Sequence, residues 1–333
     1  MKRVCVVLCW MIAAAVFSGA ALGQAAPGYK VVKTWKLGGD GGWDYLTVDA
    51  DGRRLLIARS DRVIVVDEDS GKLLAEIPDM PGVHGVALVP GLGRGFISAG
   101  GEDMVAVFDL NTLRVLNKIK VGRRPDAIVY EPFTKRVFTF NASSHDTTAV
   151  DAAKGEVAGT LALGGKPEFA ASDGKGTMWV NIEDTGELVA FDPQKLVVKS
   201  RWKMTGCEEP TGLALDAKTR RLFAGCSGSK KMAVVAADSG KLLAMLPIGE
   251  GCDGTAFDAD RNLVFASAGD GTITVIREES PDKFSVAETV KTQERARTIT
   301  VDPKTHEVFT VTAKVLPGRK VEPDTFVVIE VAK

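Results

Sequence analysis

The chain has 333 residues, with 42 Lys and Arg against 43 Asp and Glu and a formal net charge of −1. That balance lacks the basic stripe with which a nucleic-acid binder neutralises phosphates, and the length is ample for one closed core. No Gly-x-Ser-x-Gly, His-Glu-x-x-His, phosphate loop or Cys-x-x-Cys-His occurs, so no motif announces hydrolase or haem chemistry.

The chain opens as a secretory leader: Lys2 and Arg3, an apolar core from Val4 to Phe17, then small residues up to Ala21-Leu22-Gly23. The apolar run falls short of the about 20 residues a crossing helix needs. No Cys stands at the cut, which argues against a lipoprotein. The expectation is a leader over 1–23, with an uncleaved anchor as the alternative, and one soluble domain over 24–333. That domain is expected to be periplasmic or secreted and monomeric, with no membrane span once the leader is removed. The three cysteines left, Cys207, Cys226 and Cys252, are an odd number, which suggests one disulfide and one thiol.

After a strand-like segment, Tyr29 to Trp35, a short apolar run closing on an acid or turn residue recurs seven times. The closing positions are Asp49, Pro90, Glu131, Asp173, Asp216, Asp258 and Asp302, 41 to 44 residues apart. A period of about 40–45 residues with four short strands per period indicates a β-propeller. The second repeat shows the pattern: strands at 86–89, 95–98, 104–108 and 115–121, with Gly, Asp, Asn and Pro at the reversals. The last repeat supplies three strands, at 298–301, 308–312 and 326–331. The predicted fold is therefore an all-β, seven-bladed propeller of four-stranded antiparallel blades. Its closure is three-plus-one, the N-terminal strand completing the last blade and covering two open edges.

These repeats resemble the YVTN-repeat (YncE-like) propellers over essentially all of residues 24–333. The resemblance is carried by the first-strand runs ending in Asp, by strands such as Phe138-Thr139-Phe140-Asn141 and Trp179-Val180-Asn181, and by Val105-Ala106-Val107-Phe108-Asp109. The turns Asp69-Ser70-Gly71-Lys72 and Asp238-Ser239-Gly240-Lys241 carry it too. Literal Tyr-Val-Thr-Asn never occurs. The resemblance implies a bacterial exported seven-bladed scaffold, a relative of WD40-like propellers, and brings no agreed catalytic residues with it.

In a propeller the loops entering each first strand converge on one mouth of the central channel. Five residues before each closing position stand Asp44, Gly85, Asp126, Glu168, Thr211, Asp253 and Arg297; one earlier come Trp43, His84, Pro125, Pro167, Pro210, Cys252 and Ala296. Converging carboxylates favour a hard cation such as Ca²⁺; alternatively each acid accepts backbone N–H groups of its own loop. His84 and His145, with Asp126 and Asp146, make a weaker set for a transition metal such as Zn²⁺, against two unrelated loop histidines. His306 falls in a turn on the opposite face and is expected to be solvated. Of the cysteine pairings, Cys207–Cys252 is preferred. The long segment 313–324 is expected to be a lid over the mouth or a mobile flap.

The functional expectation is a non-enzymatic scaffold that binds a small ligand or protein partner at the mouth through Asp44, His84, Asp126, Glu168, Asp253 and Arg297. The alternative is a metal-dependent lactonase- or esterase-type hydrolase. No cofactor is required, though a divalent cation, Ca²⁺ or Zn²⁺, fits the acids.

Overall fold

The structure, a computed structural model, describes Met1 and residues 28–318 and 320–333. The leader expected over 1–23 lies, beyond Met1, outside the described residues.

Seven four-stranded antiparallel sheets are arranged as the blades of a propeller. Strands within a blade are lettered A to D from the channel outward. The A strands are Leu46–Asp49, Val83–Val89, Pro125–Glu131, Pro167–Ser172, Pro210–Asp216, Cys252–Asp258 and Ile299–Val301, in blades 1 to 7. The seventh sheet runs in the order Lys30–Lys36, Val327–Ala332, Val308–Thr312, Ile299–Val301, so the N-terminal strand is its outer edge. It pairs with Val327–Ala332 from Lys30↔Ala332 to Lys36↔Val327.

Alternation along each strand builds the core between blades rather than under one face. Val105 and Val107 pack toward blade 3, while Ala106 and Phe108, on the same strand, pack toward blade 1. Seven buried apolar clusters result, one at each blade-to-blade interface. This is why the strands read as nearly continuous apolar runs: both faces of each sheet are covered.

The repeated acids make the turns on the face away from the mouth. Asp49 accepts from Gly52 N (3.1 Å), Asp216 from Lys218 N (2.8 Å) and Asp302 from Lys304 N (2.9 Å), each an Asx-type turn that reverses strand A into strand B. The two Asp-Ser-Gly-Lys turns add a packing device. Gly71 (φ +70°) and Gly240 (φ +69°) lie against Trp35 and Trp202 from the neighbouring blade, where a Cβ would sit 2.1 Å from ring carbons. Here the left-handed turn and the close approach both require glycine.

His306 differs from its expectation. Its turn carries it to the closing acid of blade 6, with Nδ1 3.0 Å from Asp258 Oδ2, so it makes a partly buried inter-blade hydrogen bond rather than facing solvent freely.

Candidate functional site at the channel mouth

Strand register decides which residues face the mouth. Val83 pairs with Ala99 as Pro125 pairs with Asn141, Pro167 with Ile182 and Pro210 with Cys226. Asp126, Glu168 and Thr211 follow those prolines, so their counterpart in blade 2 is His84, not Gly85. The one-residue slip arises at Pro90–Leu92, a 3₁₀ turn that puts the end of strand A at Val89. The mouth row is thus Asp44, His84, Asp126, Glu168, Thr211, Asp253 and Arg297, one residue per blade. All seven line a single cavity of about 260 Å³ with Tyr45, Arg124, Lys166 and Glu183.

Inter-blade hydrogen bonds fix this ring from behind. Thr298 Oγ1 donates to Asp44 O (3.0 Å), Ser98 Oγ to Asp126 O (2.6 Å), Asn181 Nδ2 to Thr211 O (3.0 Å) and Ser267 Oγ to Arg297 O (2.5 Å). Tyr45 N donates to His84 O at 3.1 Å. Ser98 Oγ also accepts from Gly85 N (3.0 Å), so one buried hydroxyl ties the backbones carrying His84 and Asp126.

The floor is aromatic. Tyr45 of blade 1 meets Phe169 of blade 4 edge-on, with ring centroids 5.2 Å apart. Beyond the pair the channel is lined by A-strand residues such as Val86, Leu88 and Ile128. The pair separates a polar cup from an apolar channel.

Within the cup the charges pair through side chains. His84 Nδ1 lies 2.7 Å from Asp44 Oδ2 and 3.5 Å from Asp126 Oδ1. Lys166 Nζ lies 2.8 Å from Glu168 Oε1 and also bonds Glu183, and Arg297 pairs with Asp253. Among the described residues no mouth carboxylate accepts a backbone N–H, unlike the acids of the opposite face. The mouth acids thus line the cavity and are held by side chains, His84 and Arg297 of neighbouring blades and Lys166 of the same blade, rather than by the backbone of their own loops. Burial drives the Asp126 carboxyl up, against the pull of His84, with Asp44 adding to the rise. Glu168 is pushed up to about 8 by burial and by the charge of Asp126, despite Lys166. For His84, burial pulls the imidazolium down, but Asp44 and Asp126 outweigh it and the net shift is upward. Burial likewise pulls Lys166 down while Glu168 and Glu183 hold it above the usual range. The cup therefore holds carboxylates crowded enough to repel one another, the condition that a bound cation relieves.

Other expected residues lie elsewhere. His145 is exposed in its turn (φ +58°) and takes no part in the cluster; among the described residues the close metal-capable group is Asp44, His84 and Asp126. Asp146 is held by Asn141 Nδ2 at 2.6 Å. The disulfide joins Cys207 to Cys226, with Cα atoms 5.1 Å apart, and not Cys207 to Cys252. The loop carrying Cys207 folds back over the end of its own blade's strand B, where Cys226 stands. Cys252 begins the next blade, buried and free, its thiol pushed up to about 12 by burial. Segment 313–324 contains a short hairpin, Val315–Leu316 with Lys320–Val321, and Val315 and Val321 border a cleft beside Trp43, Arg295 and Arg297. Arg124 and Lys166 escaped the sequence reading although they occupy one row, two residues before the mouth position, which a wider sorting by repeat would have shown.

No family model matches the chain, and no curated protein matches it. Among solved structures, hydrazine synthase of Kuenenia stuttgartiensis superposes with a TM-score of 0.72 at 14% identity, covering 88% of this chain and 95% of that one. The WD40 repeats of RRP9 superpose with a TM-score of 0.75 at 11% identity, covering 93% and 99%. At such identities the likeness establishes the fold alone: the chain is a seven-bladed, WD40-like β-propeller. Among the described residues no helix is long and apolar enough to cross a membrane.

Proposed function

We propose that this propeller is an exported binding scaffold, akin to the YVTN-repeat proteins, that holds a small charged ligand in the cup at its channel mouth. The observation that carries the reading is the closed cup itself. One polar side chain from each blade converges on about 260 Å³ above the Tyr45–Phe169 floor, so a ligand is retained rather than passed through. That volume is just below the ~300–1,000 Å³ of drug-sized pockets and suits an ion or small solute. Export is supported by the basic-then-apolar segment at Lys2 to Phe17 and by the Cys207–Cys226 bridge, since structural disulfides persist in oxidising compartments.

The test is a thermal-shift panel of metal ions, amines, amino acids and dicarboxylates on the full chain and on a Glu168→Gln/Asp253→Asn variant. At least one class should raise the wild-type melting temperature and lose that effect in the variant. A solute that stabilises both proteins equally would place binding away from the mouth.

A further inference from the structure

We propose that Asp44, His84 and Asp126 form a binding site for one divalent transition-metal ion at the channel mouth. This names the ligand of the cup described above and so rests on that reading. Three consecutive blades bring one donor atom each within 4.8 Å of the others. His84 Nδ1 lies between the two carboxylates, 2.7 Å from Asp44 Oδ2 and 3.5 Å from Asp126 Oδ1. An ion with bonds of about 2.0–2.2 Å sets its ligand atoms about 3–3.5 Å apart. The Asp126 side therefore fits as it stands, and the Asp44 side opens by roughly half an ångström, within reach of a small side-chain rotation.

The Asp126 carboxylate points the same way. Its side chain is 12% exposed and lines the cavity, and its closest charged partner among the described residues is His84, 3.5 Å away and shared with Asp44. A mostly buried carboxylate with one long, shared contact favours a cation beside it. The other cup acids are better served, Glu168 by Lys166 and Asp253 by Arg297. The deficit is local to the His84 side.

The backbone holds the three donors in place. Ser98 ties the strands of His84 and Asp126, Thr298 holds Asp44 O, and Gly100 leaves room for the imidazole: a Cβ there would stand 3.0 Å from His84 Cδ2 and Nε2. One imidazole with two carboxylates selects Zn²⁺ or Mn²⁺ over Ca²⁺, which prefers six to eight oxygens. Three protein ligands leave coordination positions free toward the cup.

The test is calorimetric titration of the metal-stripped full chain with Zn²⁺ and, separately, Ca²⁺. One Zn²⁺ per chain is expected, bound at least about tenfold more tightly than Ca²⁺. Asp126→Asn and His84→Gln should each weaken Zn²⁺ by about tenfold or more, as loss of even a supporting partner does. Asp51→Asn, exposed on the opposite face, should not. Near-ultraviolet circular dichroism of each variant checks that the propeller is intact, and the second mouth variant stands in if one fails to fold. Absence of saturable Zn²⁺ binding by the wild type, or binding untouched by both mouth variants, overturns the site. If Zn²⁺ fails while an organic solute still binds the cup, the metal assignment alone falls; if every solute fails, the cup reading falls with it.

Discussion

Tyr45 and Phe169 touch across the propeller's axis, edge to face at 5.2 Å, although 124 positions separate them in the chain. Each stands one residue beyond its blade's mouth position, so the same two segments that present Asp44 and Glu168 upward close the channel beneath them. The contact converts a tube into a cup.

Phe169→Ala removes half of this floor. The ring is only partly buried, so the expected cost is about 2–3 kcal/mol, below the 3–5 of a fully buried phenylalanine. Chemical denaturation measures it. An unchanged midpoint would show that the pair contributes nothing to the ring.

The fold was legible because its turns are local chemistry. Asp49, Asp216 and Asp302 are followed within three residues by the backbone N–H groups they accept, so the period shows in the sequence. The mouth acids were legible by the same counting. His84 was set one row off because Pro90 starts a 3₁₀ turn where other blades close on an acid. The cysteine pairing was not legible, since it depends on how one loop folds over a strand end. Nor does sequence distance reveal that His306 reaches the acid of a neighbouring blade.

On the opposite face two glutamates take the register position that Leu110, Ala152, Pro193 or Ala237 holds in other blades: Glu68 directly follows strand C of blade 1, and Glu278 lies within the longer strand C of blade 6, Thr272–Ser280. Arg53 Nη1 lies 3.1 Å from Glu68 and 2.7 Å from Asp302, and Glu278 accepts from Thr219 beside Asp216. Burial, reinforced by Asp302, pushes Glu68 up to about 8; burial, with Asp216 adding to it and Thr219 opposing, pushes Glu278 up to about 7. Both values exceed the unfolded 4.5, so the folded state keeps protons that the unfolded chain has lost. Their contribution is complete below pH 4.5 and disappears as pH rises through 7 and then 8. Glu168 acts in the same direction, whereas Asp302 is held low and acts only in more acidic solution. The melting temperature should therefore fall between pH 5 and pH 8.5, and Glu68→Gln/Glu278→Gln should flatten the slope. An equal slope in the variant would contradict the assignment.

Cys252 is buried and its thiol resists ionisation, while Cys207 and Cys226 are paired. Native protein should show no thiol to a thiolate-selective reagent, and the denatured chain, cleared of residues 1–23, should show one. Reduction should cost about 3 kcal/mol for a loop of this size. Three reactive thiols after denaturation would show that the disulfide is absent, and a labelled thiol that maps to Cys207 or Cys226 rather than Cys252 would mean a different pairing.

Removing residues 28–36 strips the outer strand of blade 7 with Tyr29 and Trp35, which pack on Phe265 and Phe309. Two such aromatics imply a loss of about 3–5 kcal/mol and an exposed edge open to association. A truncated chain that melts like the parent would show that the strand is dispensable.

The most direct test of the mouth is a crystal structure of the protein grown with Zn²⁺, with anomalous data collected above the zinc edge. The binding assignment requires one dominant peak in the cup, about 2.0–2.2 Å from donor atoms of Asp44, His84 and Asp126. A vacant cup with the dominant peak elsewhere on the protein would contradict it.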